Sequence, residues 1–359
     1  MKLIHCADLH LDSKMESNLT KDQALVRRQE LLETFEAMVD YAAREAVSAI
    51  LIAGDLFDKS HIRKEVRTRV MGQITGHPLI EFYYLKGNHD QTNFLEEGQK
   101  LPDNLHLFSQ EGWTSYRQGD LVITGMELTG ENVSSMAERL VLDSANTNIV
   151  MLHGQLSDYD GKGDGQIINI GALKGKYIDY LALGHIHKLM TGSIDDRGSY
   201  CYCGCLEGRG FDETGDKGFV VLEVEDGSIS SEFIPFAKRR LHQIEVAVKP
   251  DMDTPAIINA ANSQLSDVDP QDLVKFVLTG ERELDDTPDV VRIVRYFGEK
   301  YFFVKCYDRT KTLIDYDSFL YDKSLKGEFV RLVQSQDLEE DTKAAIIELG
   351  IKAIMGEDI

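Results

Sequence analysis

Short apolar runs, most of them followed within two residues by glycine, aspartate or histidine, constrain this chain more than any other feature of its sequence. Six such runs in the first two hundred residues have the length and composition of buried strands. They are Leu3–Cys6, Ala49–Ala53, Phe82–Leu85, Leu121–Met126, Ile149–Leu152 and Tyr180–Leu183. Helical patterns lie between several runs, and the longest, roughly Lys21–Ala46, carries an apolar stripe from Leu25 to Ala46 at three- and four-residue spacing. This strand–helix alternation predicts a layered α/β domain.

Five segments place oxygen or imidazole side chains directly after a predicted strand. They are Asp8–His10, Gly54–Asp58, Gly87–Asp90, His153–Gly154 and Gly184–His187. The carboxyl ends of strands in an open α/β sheet converge, so we expect these side chains to meet. A single histidine after a strand is more often structural, but five such segments in order favour a metal site. Aspartate, asparagine and histidine suit Mn²⁺, Fe²⁺ or Zn²⁺, and two such ions about 3.5–4 Å apart could activate water against a phosphate ester.

The length and charge of the chain limit the alternatives. Its 359 residues, 42% of them hydrophobic, predict two or three domains with sizeable cores. A formal net charge of −22 disfavours nonspecific nucleic-acid binding, although bound cations would offset part of it locally. No apolar run reaches the roughly 18–20 residues of a membrane span, and the segment before Asp8 is too short for a signal peptide. The expectation is a cytoplasmic protein with no membrane association.

Two further clusters of residues could form sites. Cys201, Cys203 and Cys205 alternate as on a strand, and no nearby Cys or His pair completes a zinc site. They therefore predict reduced, packed thiols. Lys238–Arg240 is the clearest basic cluster, and it would either contact phosphates or form a solvated linker.

The five segments resemble, in order, the motifs of the calcineurin-like metallophosphoesterases, and within them the SbcD-type DNA repair nucleases. The stretch Tyr202–Glu213 also resembles the one that follows the last motif in these nucleases. The resemblance implies an α/β fold, a layered metallophosphoesterase β-sandwich flanked by helices, with a smaller α/β capping domain and a C-terminal helical segment. It implies a nuclease domain at 1–240, a capping domain that helps select DNA at 241–318, and a helical segment at 319–359.

The resemblance also implies individual roles. One metal would be held by Asp8, His10, Asp55 and His187, and the other by Asp55, Asn88, His153 and His185. His89 would stabilise the transition state or protonate the leaving group, with Asp90 orienting it. Archaeal and eukaryotic relatives usually carry histidine at the position of Asp58, which puts a second catalytic imidazole in doubt, and His61 receives no role.

The leading hypothesis is a Mn²⁺-dependent nuclease, with Fe²⁺, Zn²⁺ or Mg²⁺ as other metals, that acts on DNA ends. A helix around Thr92–Lys100, where family members dimerise, implies a homodimer, with a solvated surface helix as the alternative. Two helices within Ser324–Met355 would dock an SbcC-type ABC ATPase or pack on the chain's own core. The other functional hypotheses are a small-molecule phosphodiesterase or phosphatase, which the acidic charge favours, and a non-catalytic scaffold protein, which the intact ligand set disfavours.

Overall fold

The computed structural model describes residues 1–15, 19–58, 62–90, 100–158, 166–283 and 286–355. His61 and positions 92–99 of the proposed dimerisation helix lie outside these residues. The chain divides into two compact units, Met1–Arg240 and Leu241–Ile359. No helix within the described ranges is both long enough and apolar enough to cross a membrane.

The first unit is built mainly from short strands. Its strands are β1 (Lys2–Cys6), β2 (Ala49–Ala53), β3 (Glu81–Leu85), β4 (Leu105–Leu107), β5 (Thr114–Gln118), β6 (Leu121–Gly125), β7 (Thr147–His153), β8 (Gln155–Leu156), β9 (Ile167–Ile168), β10 (Tyr180–Gly184), β11 (Leu189–Ser193), β12 (Ser199–Cys203), β13 (Gly218–Glu225) and β14 (Ser228–Pro235). Its helices are α1 (Lys21–Arg44), α2 (Lys64–Gly76) and α3 (Met136–Arg139), with a 3₁₀ turn at Ile170–Leu173. All six predicted strands are confirmed.

These strands form two six-stranded sheets, in the orders β14-β13-β1-β2-β3-β4 and β11-β12-β10-β7-β6-β5. Four neighbouring strands in each sheet are parallel, β1 to β4 in the first and β12, β10, β7 and β6 in the second. Antiparallel strands close the remaining edges. Both sheets therefore direct the carboxyl ends of several strands toward one edge, where loops can meet.

Three apolar layers hold this sandwich together. The inner faces of the two sheets pack on each other through side chains such as Leu51 and Met151. Phe35 of α1 and its neighbours cover the outer face of the first sheet. Leu152 and Leu181 of the second sheet pack with Met136 of α3. The predicted layered sandwich flanked by helices is confirmed.

Helix α1 departs from its predicted stripe at both ends. Leu25 is 57% exposed and Ala46 is also exposed, whereas Arg27 is fully buried. The Arg27 guanidinium donates to Glu30 Oε2 at 2.6 Å and to Glu207 Oε2 at 3.0 Å. Because two carboxylates compensate its charge, this arginine can lie on the buried face of the helix. The buried face at the start of α1 therefore differs from the predicted apolar stripe.

The second unit is a smaller α/β structure. Its elements are β15 (Leu241–Val248), α4 (Thr254–Asn262), β16 (Leu273–Glu283), α5 (Val290–Gly298), β17 (Phe303–Asp308), β18 (Lys311–Leu313), α6 (Tyr316–Phe319), α7 (Leu325–Gln334) and α8 (Glu340–Met355). Strands β15, β16 and β17 are parallel neighbours, and β18 extends the pairing of β16. The two helices predicted within Ser324–Met355 correspond to α7 and α8, which form a hairpin packed through Val330 and Ile347.

Candidate metal centre

The seven predicted ligands all follow the carboxyl ends of parallel strands in the first unit. Asp8 and His10 follow β1, Asp55 follows β2, Asn88 follows β3, His153 ends β7, and His185 and His187 follow β10. Strands from both sheets contribute, so the site lies at the edge where the two sheets meet. This is the arrangement expected for a ligand site in α/β proteins.

The backbone of this site is strained at four ligand positions. Asp8, His10, Asp55 and His185 have φ values of 53°, 45°, 51° and 102°, in the left-handed region that residues with a Cβ rarely adopt. Each such residue costs about 1–3 kcal/mol unless its surroundings enforce it. Backbone hydrogen bonds enforce it here, since the Asp8 N–H donates to Gly54 O at 3.1 Å and the His10 N–H to Asp55 O at 2.9 Å. Strain concentrated on polar residues indicates a functional centre.

Two glycines let the loops approach each other. A Cβ at Gly54, which has φ 96°, would collide with the His153 ring. A Cβ at Gly87 would collide with the Asp55 carboxylate. Glycine is therefore required at both positions for the side chains to converge.

The first predicted ligand group is brought together. His10 Nε2 lies 3.1 Å from His187 Nε2 and 3.8 Å from Asp55 Oδ2. His187 Nε2 lies 3.9 Å from Asp8 Oδ1. Asp8 also accepts the backbone N–H of His185 at 3.0 Å, which fixes the carboxylate in place.

The second predicted group shares Asp55 with the first. His153 Nε2 lies 3.4 Å from Asp55 Oδ2 and 3.0 Å from Asn88 Oδ1. His185 Nδ1 lies 3.3 Å from the same asparagine oxygen. Asp55 thus stands between the two groups, as a bridging carboxylate must.

Three of the imidazoles have a partner on the side away from this centre. Two of these contacts are hydrogen bonds, His187 Nδ1 to Glu213 Oε1 at 2.6 Å and His153 Nδ1 to Ala53 O at 2.9 Å. The third is an ion-pair contact of 3.2 Å between His10 Nδ1 and Asp58 Oδ1. An Nδ1–H that donates outward leaves Nε2 as a lone-pair acceptor facing the centre. Lone pairs of nitrogen and oxygen therefore converge there, which is the donor set of a divalent cation.

The electrostatics of the centre support the same fit. Burial raises the pKa of the Asp8 carboxyl to about 6. Burial also opposes ionisation of Asp55, but the adjacent His153 and His10 outweigh it and hold the Asp55 pKa below its usual range. Burial lowers the pKa of His153, yet the charge of Asp55 outweighs it and raises that pKa to about 9. The buried carboxylates thus stabilise positive charge on the neighbouring imidazole. They would stabilise a bound cation in the same way, so these residues fit divalent metal ions.

His89 lies beside the ligand groups and is the most accessible of these imidazoles, with 44% of its side chain exposed. Its Nδ1 lies 3.3 Å from Asp58 Oδ1, and this contact raises the His89 pKa. Its backbone N–H donates to Asp55 Oδ1 at 2.9 Å. The ring is thus oriented from one side and open on the other.

Asp90 does not take the orienting role predicted for it. Its buried carboxylate accepts the backbone N–H groups of Leu56 at 3.2 Å, Phe57 at 2.8 Å and Gly87 at 3.0 Å. These bonds tie the loop after β2 to the loop after β3. Asp58 lies against the His89 ring instead, because its carboxylate reaches the Nδ1 side of both His89 and His10.

Sequence reasoning missed a cation at the edge of the centre. Arg209 Nη1 donates to Asp58 Oδ1 at 3.3 Å, and the Arg209 backbone N–H donates to Glu213 Oε2 at 2.7 Å. Arg209 therefore links the two carboxylates that hold three of the histidines. Two sequence features could have pointed to these contacts. Asp58 is close to Asp55 in sequence, and Glu213 lies within the stretch that resembles the nucleases.

The other two features have structural roles. All five cysteines are free and buried, and Cys201 and Cys203 lie in the core between the sheets, so reduced packed thiols are confirmed. The cations of Lys238–Arg240 pair in turn with Glu33, Glu30 and Asp216. Carboxylates of the first unit therefore pair with this cluster, while Lys238 and Arg240 remain exposed at the end of that unit.

Comparisons with known proteins agree with this geometry. The chain is 32% identical over 246 residues to "Uncharacterized metallophosphoesterase YhaO" of Bacillus subtilis, covering 65% of this chain and 60% of that protein. It is 27% identical over 214 residues to "DNA double-strand break repair protein Mre11" of Sulfurisphaera tokodaii, covering 54% and 51%. It is 24% identical over 283 residues to a component of the nuclease SbcCD from Staphylococcus epidermidis, covering 68% and 72%. The chain thus spans between half and two thirds of the first two relatives.

Residues 1–189 match the family described as "Calcineurin-like phosphoesterase". That range begins at β1, ends just after β10, and includes every side chain that converges on Asp55. The shared segment is therefore the one that builds the centre, and the chain belongs to the calcineurin-like phosphoesterase family.

Proposed function

We propose that this chain is a metal-dependent DNA nuclease that hydrolyses phosphodiester bonds at DNA ends. The observation that carries the proposal is the convergence of six polar side chains around Asp55, beside an accessible His89. Phosphoesterase chemistry follows from membership of the family. The choice of DNA as the substrate is a further, more specific step. Two relatives support that step, since their names are those of a DNA repair protein and a nuclease.

The two ligand groups would hold two divalent cations, with Mn²⁺ as the proposed metal and Fe²⁺, Zn²⁺ or Mg²⁺ as alternatives. Asp8, His10, Asp55 and His187 would hold one, and Asp55, Asn88, His153 and His185 the other. When bound, such ions supply Lewis-acid activation of a phosphate ester and of the attacking water. The protein keeps these ligands in place through the outward contacts of their imidazoles.

His89 would hold a proton for the leaving oxygen. Asp58 lies at Nδ1 and raises the His89 pKa, which favours the protonated ring. The exposed ring edge gives a substrate access to that proton. Asp58 would be the positioning residue, because it contacts both His89 and the ligand His10.

The C-terminal hairpin supports an ATPase partner. Helices α7 and α8 bury only part of their apolar residues against each other. Large apolar side chains remain exposed at Leu325, Leu332, Leu338, Leu349 and Met355. Such a surface suits a partner, and we propose that 319–359 docks an SbcC-type ABC ATPase while 241–318 acts as the capping domain. The proposed homodimer rests on the family resemblance.

A second candidate is hydrolysis of small phosphodiesters. The formal net charge of −22 favours it, because DNA binding depends on cations that neutralise phosphates. Both candidates use the same centre, so only the substrate distinguishes them.

The test is a degradation assay with a panel of divalent metals, with and without the ATPase. Linear duplex DNA, single-stranded DNA, cyclic nucleotides and p-nitrophenyl phosphodiesters are offered to wild type and His89→Ala. His77→Ala is the matched control, since His77 is a partly buried histidine at the end of α2, outside the centre. Metal-dependent DNA cleavage that falls in His89→Ala but not in His77→Ala supports the proposal.

Other results separate the alternatives. Intact DNA with every metal, together with rapid turnover of a small diester, would replace the nuclease proposal with the second candidate. Wild type and Asp55→Ala that are equally inert on every substrate, although wild type binds metal, would favour a non-catalytic scaffold.

A further inference from the structure

A cavity of about 450 Å³ lies between α4 and α5 of the second unit. Its polar and aromatic lining consists of Asn259, Arg292, Arg295, Tyr296 and Glu299. The four residues of the α5 segment recur at three- and four-residue spacing, so they share one face of the helix. The volume lies within the range of small-molecule sites, about 300–1,000 Å³.

The two helices are fixed to each other at both ends of this cavity. The backbone N–H of Asp289, at the start of α5, donates to Thr254 Oγ1 at 3.1 Å. Lys300 Nζ, just after α5, donates to Asn262 Oδ1 at 3.3 Å at the end of α4. The walls are therefore held at a set separation, and a ligand would meet a preformed site.

One part of the lining is cationic without compensation. Neither the Arg292 nor the Arg295 guanidinium has an ion-pair or hydrogen-bond partner among the described residues. Lys300 Nζ adds a third charge, 4.3 Å from the Tyr296 ring centroid and 3.1 Å from its hydroxyl. Two unpaired guanidinium groups on one helix face suit the paired oxygens of a phosphate.

The other part of the lining differs in charge. Glu299 lies seven residues after Arg292, roughly 10 Å along the helix axis. Its carboxylate would repel a second anionic group but would accept hydrogen bonds from amino or hydroxyl groups. Between these ends lie the Tyr296 ring, 42% exposed, and the Asn259 amide, which can donate and accept.

A ligand that matches this lining has one phosphate, a planar middle and a neutral hydrogen-bonding end. We propose that the α4–α5 cavity binds a nucleoside monophosphate, either free or as the 5′-terminal nucleotide of a strand. Its phosphate contacts Arg292 and Arg295, its base stacks on Tyr296, and its neutral donors face Glu299. This site is separate from the metal centre and does not depend on the proposed nuclease activity.

The test is calorimetric titration of the full chain after EDTA treatment, which removes metal-dependent binding at the other centre. The probes are deoxyadenosine monophosphate, deoxyadenosine, inorganic phosphate and a short 5′-phosphorylated single strand. Arg292→Gln and Arg295→Gln should each weaken binding of the monophosphate roughly tenfold or more, the effect of losing a charged hydrogen bond. Tyr296→Leu should weaken the monophosphate but not inorganic phosphate.

Arg309→Gln is the matched control, because Arg309 is an exposed arginine of the same unit outside the cavity. The arginines of the cavity are also exposed, so their substitution leaves the core intact. Binding of the strand but not the monophosphate, with the same arginine dependence, identifies a strand end as the source of the nucleotide. Absence of binding by every probe, or equal weakening in Arg309→Gln, overturns the proposal.

Discussion

The two units differ in how many of their residues have a backbone φ in the left-handed region. Every described non-glycine residue with positive φ lies in the first unit, and four of these are proposed metal ligands. In the described part of the second unit, only Gly280 has positive φ. The first unit gathers buried acids and imidazoles on strained loops, whereas the cavity of the second unit lies between regular helices. Among the described residues, positive φ outside glycine is thus confined to the first unit, where four of the nine such residues are proposed ligands. Experiments that disturb the convergence of these polar groups should therefore affect the first unit alone.

The largest effect is expected from Asp55→Asn, which removes the carboxylate shared by both ligand groups. Phosphodiester turnover should fall by at least about 10²–10³-fold, as when one preorganised charged group is lost from an active site. Metal content of the purified protein, measured by mass spectrometry, should fall with it. The control is Asp120→Asn, at an exposed turn residue of the same unit. Turnover within threefold of wild type, with full metal content, would remove Asp55 from the centre.

The next largest effect is expected from a residue that hydrogen-bonds to a proposed ligand on the side away from the metal centre. Glu213→Ala removes the acceptor of His187 Nδ1 and frees that ring to rotate. Metal affinity should fall roughly 10–100-fold, the usual effect of losing such a partner. Glu213→Gln should lose less, because its amide oxygen still accepts the hydrogen bond.

Isothermal titration with Mn²⁺ measures these affinities. Glu223→Ala, at an exposed glutamate on β13, serves as the matched control. Equal affinities for all three variants and wild type would show that Glu213 has no part in holding His187 for metal.

A smaller effect is expected on stability. Metal at 100 times its dissociation constant should stabilise the first unit by about 2.7 kcal/mol. EDTA should then lower the unfolding temperature of that unit by several degrees. Trp113 is the only tryptophan, lies in the first unit and donates to Met136 O at 2.9 Å, so its fluorescence reports this transition. A Trp113 transition that EDTA leaves unchanged would contradict metal binding to the folded centre.

Most of the fold, and the convergence of the proposed ligands, could be predicted because their signals are local. An apolar run followed by Gly-Asp or Gly-Asn-His indicates both the strand and the polar side chains at its carboxyl end. Asp55 was identified in this way, and Asp8 and His153 as polar residues just after a strand. The structure brings these three side chains together. The break between the two C-terminal helices was equally visible in the pattern of polar residues.

The residues behind the ligands could not be predicted, because their partners are distant in sequence. Arg209 reaches Asp58 across 151 positions, and Arg27 reaches Glu207 across 180. An arginine or glutamate on a helical pattern ordinarily indicates a solvated face. Only the folded chain shows that these charges compensate each other in buried or partly buried positions.

The smallest effect tests the second unit, where an ion network around Glu348 should contribute to the response to pH. Glu348 accepts hydrogen bonds from Arg282 at 2.7 Å and Lys352 at 2.9 Å, and also contacts Thr312. Burial opposes its ionisation, but these partners outweigh burial and hold the Glu348 pKa at about 2, below the ordinary 4.5.

Because the folded pKa is depressed, the stabilisation is present above pH 4.5 and is lost as pH falls toward 2. In Glu348→Gln the unfolding temperature of the second unit should therefore decline less steeply over this window. Calorimetry detects the unfolding of both units. Trp113 fluorescence identifies the transition of the first unit, so that the transition of the second unit can be assigned. Glu328→Gln, at an exposed position on α7, should keep the wild-type slope. Identical slopes for Glu348→Gln and wild type would mean that this network does not set the acid response, and that the two units lose stability in acid for the same reason.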